Sequence, residues 1–320
     1  MDIDTLYFII PLVIASTVPL ALVALGALFS ERSGVINIAL EGIMLMGAFV
    51  GAIVIYYLEP TGLSDVMIAF FGLLVGAIIG MLFSVLHAFA AVNMRANQII
   101  SATALNMFAP AFAIFIARTF FGTQRVPISR TYRISSVPIL GDIPFIGDLF
   151  FQGAYLSSLL GIIIFVVAVL ILYKTKQGLR LRSCGENPQA ADTLGINIYK
   201  IRYAGVMTSG ALAGMGGVIF VLSFSTSFNA TVSGFGFLAL AVLIFGNWKP
   251  GRIIMAALFF GFMRVISSTT AVIPFLNDLG LDDEIYLMLP YLATLIVLAF
   301  VSKNSAAPRA AGEPYDPGKR

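Results

Sequence analysis

Apolar residues along this chain come in long, nearly uncharged runs, with neither the alternation of half-buried strands nor the single stripe of a soluble helix. Runs long enough to cross hydrocarbon cover 7–29, 34–58, 66–92, 99–117, 154–173, 203–222, 228–246, 253–273 and 285–301. Their uniform apolarity predicts helices, since barrel strands would alternate over about ten residues. The expected fold class is all-α: a polytopic membrane protein of about 9–10 transmembrane helices, each needing about 20 apolar residues. All of them belong to one transmembrane domain over residues 1–301. Pro11 and Pro19 leave the count open, because they could divide the first run into a short hairpin and add a crossing.

Two connectors are too long to be turns. The segment 122–153 is rich in proline and glycine, whereas 174–202 carries six basic residues with Glu186 and Asp192. Within the second, Pro188 to Leu194 holds good helix formers, Asn187 stands where a helix is capped, and Gly195 stands where one ends. A short amphipathic helix off the membrane is predicted there. The last residues, 302–320, hold Pro308, Pro314 and Pro317 among small residues, and a disordered tail is expected.

Composition supports this picture. Charged residues make up only 11% of the 320, against 59% hydrophobic, where a soluble domain carries about 25% charged. Lysine and arginine concentrate on one side: with an external amino terminus, the inner connectors and tail hold fourteen of the 19. Cytoplasmic loops retain such residues, so nine spans place the amino terminus outside and the carboxyl terminus in the cytoplasm. The basic residues sit in these connectors, which lipid and topology explain without nucleic acid. The acidic start, Asp2 and Asp4, does not resemble a cleaved signal peptide. A single cysteine, Cys184, excludes an intrachain disulfide and cysteine-built metal sites.

An eight-residue pattern recurs. Ser33-Gly34 and Ala39-Leu40 match Ser233-Gly234 and Ala239-Leu240 at the same spacing, with five spans between, so the copies begin at opposite faces. Inverted repeats build many transporter folds, though small residues also recur at helix contacts in any membrane protein. The phosphate-cradling Gly-x4-Gly-Lys-Ser/Thr motif is absent from the sequence, as are a zinc-protease helix and a nucleophile elbow. The chain therefore reads as a non-enzyme that moves a solute without its own ATPase, metal or cofactor.

Polar residues inside the runs are the candidate pathway. Glu41 lies about seven residues into a span, where an unpaired charge costs about 2.5–3.5 kcal/mol. It either faces the path, fixes a broken helix with Asn37, or makes an interhelical bond near the interface. Arg264, in the middle of its own run, is the intramembrane cation available to compensate it. Asn106 is helix glue or a donor for a polar solute. His87 reads as a packing residue more than a proton relay, and Trp248 as an interfacial anchor.

The stretch Glu31-Arg-Ser-Gly-Val-Ile-Asn-Ile-Ala-Leu-Glu-Gly-Ile-Met-Leu-Met-Gly-Ala-Phe49 resembles the opening signature of permease subunits of binding-protein-dependent ABC importers of the branched-chain amino acid and simple-sugar class. Within that class the chain is most similar to nucleoside importers. Asn97-Gln-Ile-Ile-Ser101, Val137-Pro-Ile-Leu-Gly-Asp-Ile-Pro144 and the stretch from Gly178 to Ile196 agree.

The resemblance implies five plus five helices in inverted repeat, an ABC ATPase partner holding ATP and Mg, and an extracytoplasmic solute-binding protein. It also implies a second permease, a distinct homologue in preference to a second copy, in a bacterial cytoplasmic membrane. It assigns ATPase coupling to Gly185, Glu186, Asn187, Pro188, Ala190, Ala191 and Gly195; the other reading lays this segment on lipid headgroups. Simple sugars or branched-chain amino acids are the alternative solutes. An ion-gradient-driven transporter is the rival class, and it would need coupling carboxylates in both halves.

Overall fold

The computed structural model describes residues 3–137, 141, 143–144, 147, 150, 152–224, 226–269, 285–286, 288–301 and 306–318. The apolar runs become helices α1 (Ile3–Arg32), α2 (Leu40–Leu58), α3 (Asp65–Ala88), α4 (Gln98–Phe121) and α5 (Leu156–Lys174). After α6 (Lys176–Glu186) and α7 (Pro188–Thr193) come α8 (Ile198–Phe224), α9 (Phe235–Phe245), α10 (Pro250–Ser268) and α11 (Leu289–Val301). Among the described residues seven helices are long and apolar enough to cross a membrane. The chain is a polytopic helical membrane protein.

Pro11 and Pro19 lie inside α1, which runs unbroken for 30 residues. The hairpin that would have added a crossing does not form. Packed neighbours let a membrane helix absorb prolines, and around Pro19 the residues Leu20, Leu22, Val23 and Ala24 are wholly enclosed.

The core is organised on α8, which packs against α1, α2 and α3. Its contact with α3 joins two Gly-x3-Gly pairs, Gly76/Gly80 and Gly210/Gly214. A Cβ on Gly214 would lie 2.0 Å from the Gly76 carbonyl oxygen, and one on Gly80 would lie 2.1 Å from that of Gly210. Helices in lipid gain little from hydrophobic segregation, so such backbone-close packing supplies the attraction.

The two ends of the bundle differ. At one end the proline-rich connector is shaped by paired strands: β1 (Val126–Pro127) with β4 (Ser227–Phe228), and β2 (Arg133–Ser136) with β3 (Gln152–Tyr155), both antiparallel. There the buried Glu59 accepts the N–H groups of Ser129 (2.9 Å) and Arg130 (3.0 Å) and the hydroxyl of Tyr132 (3.1 Å). Burial, and then the Glu59 charge, hold that hydroxyl well above the ordinary phenol range.

The other end carries Arg32, α6, α7 and Lys249, and is called here the basic end. The predicted amphipathic helix forms as α7: Asn187 Oδ1 accepts from Ala190 N at 3.0 Å, and Gly195 follows with φ +77°. The helix before it, α6, was not anticipated, because its basic residues read as a topology signal. The expectation of a disordered tail is corrected over 306–318, which packs on the basic end with Ala310 and Tyr315 buried. Small residues and prolines, weak at forming a core of their own, here fit against a surface that other elements supply.

Candidate functional site

Among the described residues two non-helical breaks lead into helix starts inside the bundle, and they meet. The first break lies between α1 and α2: residues 34–38 are not helical, and Gly34 turns the chain with φ +96°. Backbone groups away from water need partners, and side chains of three other helices supply them. Gln98 Oε1 accepts from Ile36 N (2.8 Å), and His87 Nε2 donates to Ile36 O (2.9 Å). Asn106 works on both sides of the helix start, giving Nδ2–H to Ile38 O (2.9 Å) and taking Gly42 N–H (2.8 Å). Asn37 takes the N–H of Ala39 (3.1 Å) and donates to Ser209 Oγ (3.0 Å).

The second break lies between β4 and α9, where Ser233 and Gly234 both have positive φ, +54° and +78°. It is held by Glu41, from the first turn of α2. One carboxylate oxygen accepts from Gly234 N (2.9 Å), and the other from Gly236 N (2.7 Å) and Phe237 N (3.3 Å). Free amide groups and the helix dipole make a helix start a natural seat for an anion. The contact is backbone-close: a Cβ on Gly236 would lie 2.4 Å from Glu41 Cα.

The position of this junction follows from helix length. Eleven residues of α9 span about 16 Å, roughly half of a hydrocarbon core of about 30 Å. The far end of α9 reaches the basic end, where Trp248 Nε1 donates to Glu31 at 2.5 Å and Arg32 Nη2 donates to Trp248 O at 3.2 Å. Trp248 is 7% exposed, so it closes α9 onto α1 and does not anchor at a lipid interface. From the same mid-bundle level α2 runs the opposite way, to Glu59 and the strands. Two helix starts therefore face each other inside the bundle.

This geometry revises several sequence expectations. The octapeptide copies are not one structural unit repeated: Ser33 to Ala39 precedes its helix, whereas Ser233 to Leu240 straddles the start of α9. Glu41 is not deep in a helix, and among the described ion pairs none joins it to Arg264. Arg264 instead reaches the other side of the same turn, with Nη2 3.5 Å from Ser233 O and the guanidinium 5.9 Å from the Phe235 ring centroid. Asn37, Glu41, Asn106 and His87 are thus engaged with backbone, while Arg264 stays partly exposed.

Sequence reasoning missed Gln98, Ser209 and Tyr291. Gln98 stood in a quoted motif without a role, and Ser209 is one small residue among many. Tyr291, 56% exposed, brings its hydroxyl to 3.6 Å from where a Cβ on Gly234 would be. No sequence signal marks it.

At the basic end the seven candidate coupling residues divide. Glu186, Asn187, Ala190 and Gly195 are exposed, whereas Gly185, Pro188 and Ala191 turn inward. Ala191 packs with Cys184, Ile198 and Tyr315, so it supports α7 from below and cannot itself enter a partner's groove. Burial pushes the Cys184 thiol up to about 11. The apolar residue that does project is Leu194, 81% exposed at the tip of α7.

Residues 9–298 match the family described as branched-chain amino acid transport system / permease component. The chain belongs to this family. It is 41% identical over 314 residues, 98% of both chains, to the nucleoside ABC transporter permease protein NupC of Lactococcus lactis subsp. cremoris. It is 42% identical to the guanosine ABC transporter permease protein NupQ of Bacillus subtilis, covering 100% of both. To the nucleoside ABC transporter permease protein NupB of the same L. lactis strain it is 24% identical over 77% of this chain and 68% of that one. The permease is thus the membrane component of an ABC transporter.

Proposed function

We propose that this permease carries nucleosides into the cell as one half of a pore. The observation that carries the reading is its full-length likeness, at 41–42% identity, to permeases named for nucleoside and guanosine transport. The facing helix starts of α2 and α9 supply a mid-bundle discontinuity of the kind at which transporters handle polar solutes. Arg264 and Tyr291 flank it with donor groups and an aromatic ring suited to a nucleoside's sugar and base. Asn37, Glu41 and Asn106 shape the path by holding its backbone.

The basic end faces the cytoplasm of a bacterium, the side its lysines and arginines favour, and the strand end faces an extracytoplasmic binding protein. A partner ATPase, holding ATP and Mg, docks on the exposed face of α6 and α7 from Glu186 to Gly195. The other half of the pore is a homologous permease, as the presence of both NupB and NupC in one L. lactis strain suggests.

Uptake by the complex reconstituted with its ATPase, second permease and binding protein tests this. Labelled guanosine should accumulate with ATP and be competed by other nucleosides but not by leucine or glucose. Leu194→Glu should lose ATPase association together with uptake. Competition by leucine or glucose alone would overturn the solute assignment, and a Leu194→Glu complex that assembles and transports normally would overturn the docking surface.

A further inference from the structure

Residues 306–318 lie across the basic end and bond to five separate parts of it. Ala306 N donates to Asn247 Oδ1 (2.6 Å) between α9 and α10, and Asp316 lies 3.7 Å from Arg95 between α3 and α4. Ala310 N donates to Gly185 O (2.9 Å) in the last turn of α6, and Arg309 pairs with Glu186 (3.2 Å). Gly312 N donates to Gly34 O (3.2 Å), where the first break begins. Arg202, 1% exposed at the foot of α8, donates from Nη1 to Glu313 O (2.9 Å).

Two of these contacts decide what the segment can do. Gly185 ends the helix that leads into α7, and Gly34 opens the break that leads to Asn37 and Glu41. The segment bonds to both through amides only two residues apart. Two residues of chain reach about 7 Å at most, so the two anchor points are held close together. The segment lies close against the break: a Cβ on Gly312, where φ is +84°, would be 2.8 Å from Ile36 Cδ1.

The segment also sets the direction of α7. A helix of six residues is too short to hold itself, and α7 rests through its Ala191 on a buried seat of Cys184, Ile198 and Tyr315. Tyr315, from this segment, is one of those three. It meets Tyr199 edge-on at 6.0 Å.

We propose that residues 306–318 form a strap that positions the coupling machinery: it fastens the α6–α7 surface to the first break, so that the two move as one body. The inference rests on the reading of α6–α7 as the ATPase docking surface. A displacement imposed on α6 at Gly185 then reaches Gly34 through two residues of strap, in parallel with the direct packing of Gly185 on the end of α1, where a Cβ on Gly185 would lie 2.3 Å from Arg32 O. The strap stays seated throughout the transport cycle and acts as a strut.

The test uses the assembled transporter. In a chain ending at Ser305 the ATPase should still copurify and hydrolyse ATP, while uptake falls by about tenfold or more. Cys184, buried in the full chain, should become reactive to maleimide in that variant. Uptake and its ratio to ATP hydrolysis equal to those of the full chain would overturn the proposal. A second arm needs no deletion: Ile36→Cys with Gly312→Cys in a Cys184→Ala background joins strap to break on oxidation. Equal uptake by oxidised and reduced complexes is expected; loss on oxidation, restored by reductant, would show that the strap must lift and would overturn the strut. If the shortened chain does not assemble, this second arm decides alone. Failure of the docking reading shows separately, as a full-length Leu194→Glu complex that keeps its ATPase.

Discussion

The first break is fastened by Gln98, His87, Asn106 and Ser209, which reach it from three helices, α3, α4 and α8. The second is held by one carboxylate, Glu41, with Arg264 touching a single carbonyl at 3.5 Å. Both solve the same problem, unpaired backbone inside a membrane, but with different redundancy. Losing any one partner of the first break leaves the others in place, whereas the second depends on a single residue of α2. The difference is one of redundancy: the first break keeps partners from other helices when one is lost, whereas the start of α9 has a single carboxylate to hold its amides.

Glu41→Ala should break the comparison most severely. It removes both acceptor oxygens and orphans the N–H groups of Gly234, Gly236 and Phe237, each at a cost of about 1–3 kcal/mol. Loss of the folded, monodisperse protein in detergent is expected, with Glu41→Gln intermediate because it keeps one acceptor oxygen. Wild-type thermal stability of Glu41→Ala would show that α9 is held by packing alone.

His87→Ala should do less. It orphans the Ile36 carbonyl while Gln98 still holds Ile36 N and Asn106 still holds Ile38 O, so a loss of about 1–2 kcal/mol is expected. Denaturant or thermal unfolding in detergent measures it, and ATP-driven uptake should survive. A loss as large as that of Glu41→Ala would erase the distinction between a redundant and a single fastening.

How much of this was legible in the sequence follows from what each signal reports. Hydropathy located every described membrane helix, because lipid imposes length and apolarity directly. It placed Glu41 too deep within its run, because residues 34–39 are as apolar as the helix they precede; the reading in which Glu41 fixes a broken helix with Asn37 named a break, but hydropathy gave neither its bounds nor its partners. That break is imposed by partners distant in sequence, from His87 to Ser209. Glu41 stood out as a costly charge and Asn37 as its companion at a broken helix, and both are engaged in backbone pairing whose partners no single segment displays. The strap was misread for a similar reason: Ala310, Gly312 and Tyr315 make no core alone, and their order comes from Gly34, Gly185 and Cys184.

Arg264→Ala should change stability least, and its value lies in separating structure from transport. Its guanidinium makes one long bond, to Ser233 O, and a contact with the Phe235 ring, both at partly exposed atoms. Truncation should therefore alter folding by no more than about 0.5 kcal/mol. Beside the looser break, however, it sets a cation against the turn that precedes α9, and it has donors to spare for a hydroxyl-rich solute. Nucleoside uptake should fall by about tenfold or more, equivalent to about 1.4 kcal/mol in a barrier, with the melting midpoint in detergent unchanged. Arg264→Lys should recover part of that uptake, since it restores the charge without the planar fork. Uptake by Arg264→Ala equal to wild type would remove Arg264 from the path and leave it a snorkelling residue of α10.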